Sequence, residues 1–134
     1  MPAHCDASSS ARLRGFPPVV GEAPRILILG SMPSAASIAA QAYYAHPRNR
    51  FWPVMGAVFG FDAGAAYGER LEALEARGVA LWDTIESCER TGSLDAAILR
   101  PIPNAVAALL EEHPTIVRVA VITLRPEGRS FLIR

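Results

Sequence analysis

Residues 43–52, YYAHPRNRFW, bring four aromatic rings, one histidine, two arginines and one asparagine into ten consecutive positions. Aromatic faces interleaved with cations suit a flat heterocycle attached to a phosphate chain, because a base offers a π-face to stack on and a phosphate offers charge to meet. Asn49 does not titrate near neutral pH, but its amide carbonyl can accept a hydrogen bond from a water and fix the line of attack. Structural roles compete with each of these. Asn is a preferred helix cap, so Asn49 could open a helix whose first residues, Phe51 and Trp52, belong to the core. His46, in a loop bounded by Pro47, could donate to a base or a phosphate, or could serve the loop alone.

A second chemical stretch precedes this one. Residues 25–29 (RILIL) form a short apolar run between Pro24 and Gly30, as expected of a strand buried in a parallel sheet. Gly30, Ser31, Met32, Pro33 and Ser34 make a tight loop off its carboxyl end, and Ser34 is a suitable N-cap for a helix over residues 35–41. A strand, a turn of small residues and a helix start together form an anion or ligand site in the crevice of an open α/β sheet. In such a site Ser31, Ser34 and the backbone around Met32 and Pro33 would contact a base edge or a phosphate.

The remaining elements must hold these two stretches. Residues 1–15 read as a polar, Ser-rich tail, and residues 16–24, with three prolines, as an extended lead-in. Helices are expected over residues 50–59, stopped by Gly60, and 65–77, stopped by Gly78. Residues 79–82 are a short apolar piece, either a sheet edge or a buried turn. Ser93 predicts a helix over residues 94–99, and Asn104 a helix over residues 105–112 that ends at His113 and Pro114. Residues 116–123 (IVRVAVIT) read as a second buried strand. The order strand, helices, strand defines an α/β fold: an open parallel sheet flanked by helices, with a right-handed crossover.

At 134 residues with 51% apolar and 19% charged residues, the chain reads as one globular domain. Thirteen basic and thirteen acidic residues cancel, so any contact with nucleic acid must come from locally placed cations such as His46, Arg48 and Arg50. Neither a membrane span nor a leader peptide is read from the sequence, which predicts a cytoplasmic protein. Cys5 and Cys88 are too few and too far apart for a disulfide framework, a zinc site or a four-cysteine cluster, so no cofactor and no metal are expected. The sequence leaves the oligomeric state open.

GSMPS followed by YYAHPRNRFW resembles the first motif region of the uracil-DNA glycosylase superfamily, and most of all its hypoxanthine-DNA (deoxyinosine) glycosylase branch. The similarity runs on through VALWDTIESCERTGSLDAAI, covering roughly residues 16–120. It implies hydrolysis of the N-glycosidic bond of a flipped, deaminated base in DNA, as in base-excision repair, with no metal and no membrane. It also implies Asn49 as the catalytic residue and Tyr44 as the ring over the flipped base, with Tyr43 packed inward. Ser31, Met32, Pro33, Ser34, His46 and Arg48 would then contact base or DNA. Met32 stands where mismatch-specific relatives carry an Asn and cannot do that work through its side chain. Asp83 and Asp95 are the main carboxylates in the matched regions, and Asp83, just after a strand, reads as a loop tie rather than an activator of water.

The resemblance stops short of the carboxyl end. Nothing in residues 123–134 (TLRPEGRSFLIR) matches the Ser- and Pro-rich second motif of the family. The expectation is therefore a partial glycosylase-like domain over residues 16–122 followed by a divergent segment, with a sheet of about two parallel strands. Such a chain would be weakly folded or self-associating, with little activity. The alternative reading is an inactive truncated fragment or a non-catalytic nucleotide-binding domain.

Overall fold

The computed structural model describes residues 12–122 and the backbone of residues 131–133. Its centre is the strand β2, Ile26–Gly30, preceded in the chain by the two-residue strand β1, Leu13–Arg14. β2 pairs in parallel with β3, Val79–Asp83, on one side and with β6, Arg118–Ile122, on the other. β7, Phe131–Ile133, adds to β6 in antiparallel sense, giving a four-stranded sheet in the order β3-β2-β6-β7.

Strand β2 is apolar without alternation because both of its faces are covered. Leu27 and Leu29 pack with Ala80 of β3 and with Leu109 of the helix α4, Val106–Glu112. Ile28 faces the other way, into a cluster with Phe51, Trp52 and Met55 of α2, Phe51–Phe59, and Leu74 of α3, Tyr67–Ala76. The outer edge of β3 is closed by the proline-rich lead-in, where Val19 and Leu81 exchange backbone hydrogen bonds of 2.9 and 3.0 Å. That bridge satisfies backbone groups an exposed edge would leave open.

The α/β class holds, and the short helix α1, Ala35–Ala40, begins where Ser34 predicts it. Four expectations are corrected. Residues 79–82 are the sheet edge, one of their two readings, but the expected number of strands is too low: the sheet has three parallel members rather than two, and β7 extends it further. A second, antiparallel sheet of three strands was not anticipated: β4, Ile85–Glu89, lies between β1 and β5, Leu99–Pro103. Leu13 and Arg14 therefore sit in a ladder with Cys88 and Ser87 instead of in a polar tail.

The helix expected over residues 94–99 is a single 3₁₀ turn, Asp95–Ala97, after which the chain extends into β5, where Pro101 and Pro103 suit an irregular edge strand. Finally, α4 starts at Val106 without a side-chain cap, since the amide of Asn104 is engaged elsewhere. The rest of the expected tail, residues 1–11, and residues 123–130 lie outside the described residues. Among the described residues no helix is long and apolar enough to cross a membrane.

Candidate active site

The carboxyl ends of all three parallel strands meet at one cleft. Gly30 of β2, Asp83 of β3 and Ile122 of β6 line it, together with loop residues Ser31, Met32, Pro33 and Ser34 and with Tyr44 and Asn49. Its volume is about 70 Å³, room for several waters and a narrow slot by the standard of ligand sites. This is the crevice where open α/β sheets bind ligands.

Loop 31–34 is held from both sides. Thr84 N–H donates to the Gly30 carbonyl at 2.9 Å and Ile85 N–H to that of Ser31 at 3.1 Å, which ties the loop to the turn between β3 and β4. The Ser34 hydroxyl accepts from Ser37 N–H at 3.1 Å and so caps α1. Ser31 donates its hydroxyl to Asp95 Oδ2 at 2.9 Å. The two hydroxyls expected to meet a base or phosphate are thus engaged inside the protein. Ser93, read from the sequence as a cap for its own helix, instead accepts from Ala35 N–H at 2.9 Å, at the start of α1.

The aromatic run is pinned by side chains of the following helices. Tyr43 is 3% exposed and donates its hydroxyl to the Pro17 carbonyl at 2.9 Å, so it does pack inward. Its own N–H donates to the Tyr67 hydroxyl and its carbonyl accepts from Trp52 Nε1, both at 2.9 Å. Buried Ser37, missed in the sequence, accepts from Ala45 N–H at 2.9 Å. Held from both ends, Tyr44 adopts φ 55°, a left-handed conformation rare for a bulky residue. One face of its ring stacks on Phe51, centroids 3.9 Å apart and planes 18° from parallel. Among the described residues its hydroxyl is buried without a partner. Burial, and then the nearby Asp83, push the Tyr44 phenol up, so it stays protonated.

Asn49 lines the cleft and ties the start of α2 from one position before Arg50, which is the N-cap residue itself. Its Oδ1 accepts from Phe51 N–H at 2.8 Å at the start of α2. His46 and Arg48 do not line this cleft. Both are exposed, the His46 ring accepting from Arg48 N–H at 3.0 Å, and His46 lies on an adjoining groove with Trp52 and Arg70.

Asp83 is the residue the sequence reading undervalued. The tie here is made by its main-chain carbonyl, which accepts from the Asn104 amide at 2.8 Å, whereas its side chain turns into the cleft, is 3% exposed and, among the described residues, leaves Oδ2 without a partner. Burial first, and then the charge of Asp95, push its carboxyl up to about 7, with Arg90 opposing. A carboxyl that ionises later in the folded than in the unfolded chain favours folding at low pH. That contribution is fully present below about pH 4, fades as pH rises toward 7, and is absent above. Asp83→Asn, similar in shape and never charged, is therefore expected to gain about 4 kcal/mol over the parent at roughly pH 8 and little near pH 4. Thermal unfolding at the two pH values checks this, and an unchanged difference between them would refute it.

Among the described residues no group of three or more His, Cys, Asp or Glu is placed to hold a metal ion. Gly30 carries no side chain, and a Cβ there would meet Asp83 Oδ1 at 2.6 Å and the Tyr44 hydroxyl at 3.2 Å. The missing side chain thus lets two polar groups come together beside Gly30.

A protein-family model described as the uracil DNA glycosylase superfamily matches residues 17–125. The chain belongs to that superfamily. Its relatives include proteins named hypoxanthine DNA glycosylase from two archaea. The Methanosarcina barkeri protein is 39% identical over 104 residues, 77% of this chain and 66% of its own length. The Methanosarcina acetivorans protein is 40% identical over 102 residues, 75% of this chain and 65% of its own. The fold also matches a solution NMR structure from Methanosarcina acetivorans, described as a candidate uracil DNA glycosylase. That match has a TM-score of 0.74 and 37% identity, over 82% of this chain and 69% of the other. The chain thus spans just under two thirds of the length of the curated relatives it matches.

Proposed function

We propose that this chain is a hypoxanthine DNA glycosylase, hydrolysing the bond between a deaminated purine and its deoxyribose in DNA, in the cytoplasm. The observation that carries this reading is the convergence of Asn49, Tyr44 and loop 31–34 on one cleft at the carboxyl ends of the parallel strands. The names of the two archaeal relatives supply the base.

A glycosylase takes its nucleotide out of the stack and holds the base while the bond to C1′ breaks. The slot accepts the edge of a planar ring beside Tyr44, and Arg48 and Arg50, exposed on either side of Asn49, are available to phosphates. Asn49 Oδ1 has two lone pairs, one of which meets Phe51 N–H. The other can accept from a water and aim its oxygen at C1′.

Stacking on an extruded base contributes roughly 1 to 3 kcal/mol, so Tyr44→Ala should weaken binding to a hypoxanthine-containing duplex by about one to two orders of magnitude. Tyr44→Phe keeps the ring and its stack on Phe51 and removes only the unpartnered hydroxyl. Its loss should be measurably smaller, and an equal defect in both variants would assign recognition to the hydroxyl and not to the ring.

A second reading, a nucleotide-binding domain without catalysis, draws on the capping bond of Asn49. Incubating the purified chain with duplexes containing hypoxanthine or uracil, then cleaving abasic sites with alkali, separates the two. Release of hypoxanthine supports the glycosylase, and binding without release supports the second reading.

A further inference from the structure

The following rests on the glycosylase reading and concerns the same cleft. We propose that Asp83 is the acid of the reaction, donating the proton of its buried, unpartnered carboxyl to a ring nitrogen of the purine as that base departs. The bond from C1′ to the base breaks with its electron pair leaving on the base, and the Asp83 proton moves to a purine ring nitrogen. The oxygen of the water at Asn49 bonds to C1′, that water loses one proton to solvent, and the Asp83 carboxylate takes one back. The products are a neutral base and an abasic sugar.

Three observations carry the assignment. Asp83 lines the same cleft as Asn49, so acid and water share one site. Among the described residues its Oδ2 and the Tyr44 hydroxyl are both buried without partners, and Asp83 Oδ1 and that hydroxyl both reach the space beside Gly30 that a Cβ would need. Two orphaned polar groups at the floor of one slot call for the polar edge of a ligand. The carboxyl is also aimed by its backbone, since Gly30 and Asp83 are register partners and Asn104 donates to the Asp83 carbonyl at 2.8 Å.

The groups around it support the role. Tyr43 and Tyr44, both held neutral, Asp95 and Arg90 are the titratable and charged groups that act on or respond to Asp83. Burial and the Asp95 charge keep the Asp83 carboxyl protonated up to about pH 7, whereas Asp95 is less buried and accepts a hydrogen bond from Ser31. Two carboxyls in unlike surroundings take unlike roles. Asn49, an amide, has no proton to give.

The test is single-turnover release of hypoxanthine from a duplex across a range of pH. The parent rate should fall about tenfold per pH unit above roughly pH 7. Asp83→Asn should be about 10²-fold slower at low pH and flat across the range, with duplex affinity unchanged. A ¹³C NMR titration of the aspartate carboxyls, without DNA, should show one resonance moving near pH 7 that is absent from Asp83→Asn. If no such resonance exists, or if Asp83→Asn keeps the parent's alkaline decline, Asp83 is not the acid, while release by the parent still upholds the glycosylase. If the parent releases hypoxanthine at no pH, both readings fall together.

Discussion

Asn49→Ala is expected to slow base release by about 10²-fold or more while leaving affinity for the duplex nearly unchanged, because a misplaced nucleophile is felt in the transition state and not in the bound ground state. The bond from Phe51 N–H to Asn49 Oδ1, 2.8 Å long, makes the capping and catalytic readings compatible. It fixes the amide plane and leaves one lone pair of Oδ1 for a water. Alanine removes both functions, and loss of a cap alone costs about 0.5 to 2 kcal/mol of stability. Asn49→Ser separates them. Serine is an equally good cap, but its shorter side chain withdraws from the cleft, so this variant should unfold close to the parent and release base as slowly as Asn49→Ala. Parent-like release by Asn49→Ser would remove Asn49 from the positioning of water and leave it only the start of α2.

What could be read from the sequence followed local rules. The strand read at 25–29 and found at Ile26–Gly30, the Ser34 cap and the helix stops at Gly60 and Gly78 depend on neighbours in the chain, so composition and spacing reveal them. The errors came where a partner is remote. Ser93 looks like a cap for the residues after it, yet its hydroxyl meets Ala35, 58 positions away. Asn104 looks like the start of α4, yet its amide holds the carbonyl of Asp83. Leu13 and Arg14 become a strand only because Ser87 and Cys88 lie beside them.

Asp83 shows the same limit in the site. An aspartate after a strand most often ties a loop through its carboxylate, but here the main-chain carbonyl makes the tie and the carboxylate lines the cleft. That its side chain faces a cleft shared with Asn49 depends on β2 and β3 being parallel neighbours, with Gly30 opposite Asp83. The usable signal was the fold: a residue at the carboxyl end of a parallel strand adjoins the crevice. The expectation of a weakly folded chain rested on a two-stranded sheet and on the missing second motif, and the four paired strands bear on the first of these grounds alone.

Phe51→Ala is expected to carry the largest loss of stability. Phe51 is 1% exposed, stacks on Tyr44 at 3.9 Å and meets Trp52 edge-on at 4.9 Å. Deleting a buried ring removes its transfer free energy and leaves a cavity, about 3 to 5 kcal/mol in all. Set against a typical total of roughly 5 to 15 kcal/mol, that is a large share. The site is affected as well, because Tyr44 sits at φ 55°, a conformation that persists only while its surroundings hold it. The stack on Phe51 supplies part of that hold, and the hydrogen bonds of neighbouring Tyr43, whose N–H donates to the Tyr67 hydroxyl and whose carbonyl accepts from Trp52 Nε1, supply the rest. Phe51→Leu refills most of the space without offering a ring face. It should therefore recover much of the stability in urea unfolding while its base release stays well below the parent's. Full recovery of release in Phe51→Leu would mean that the stack is only packing and that Tyr44 keeps its position without it.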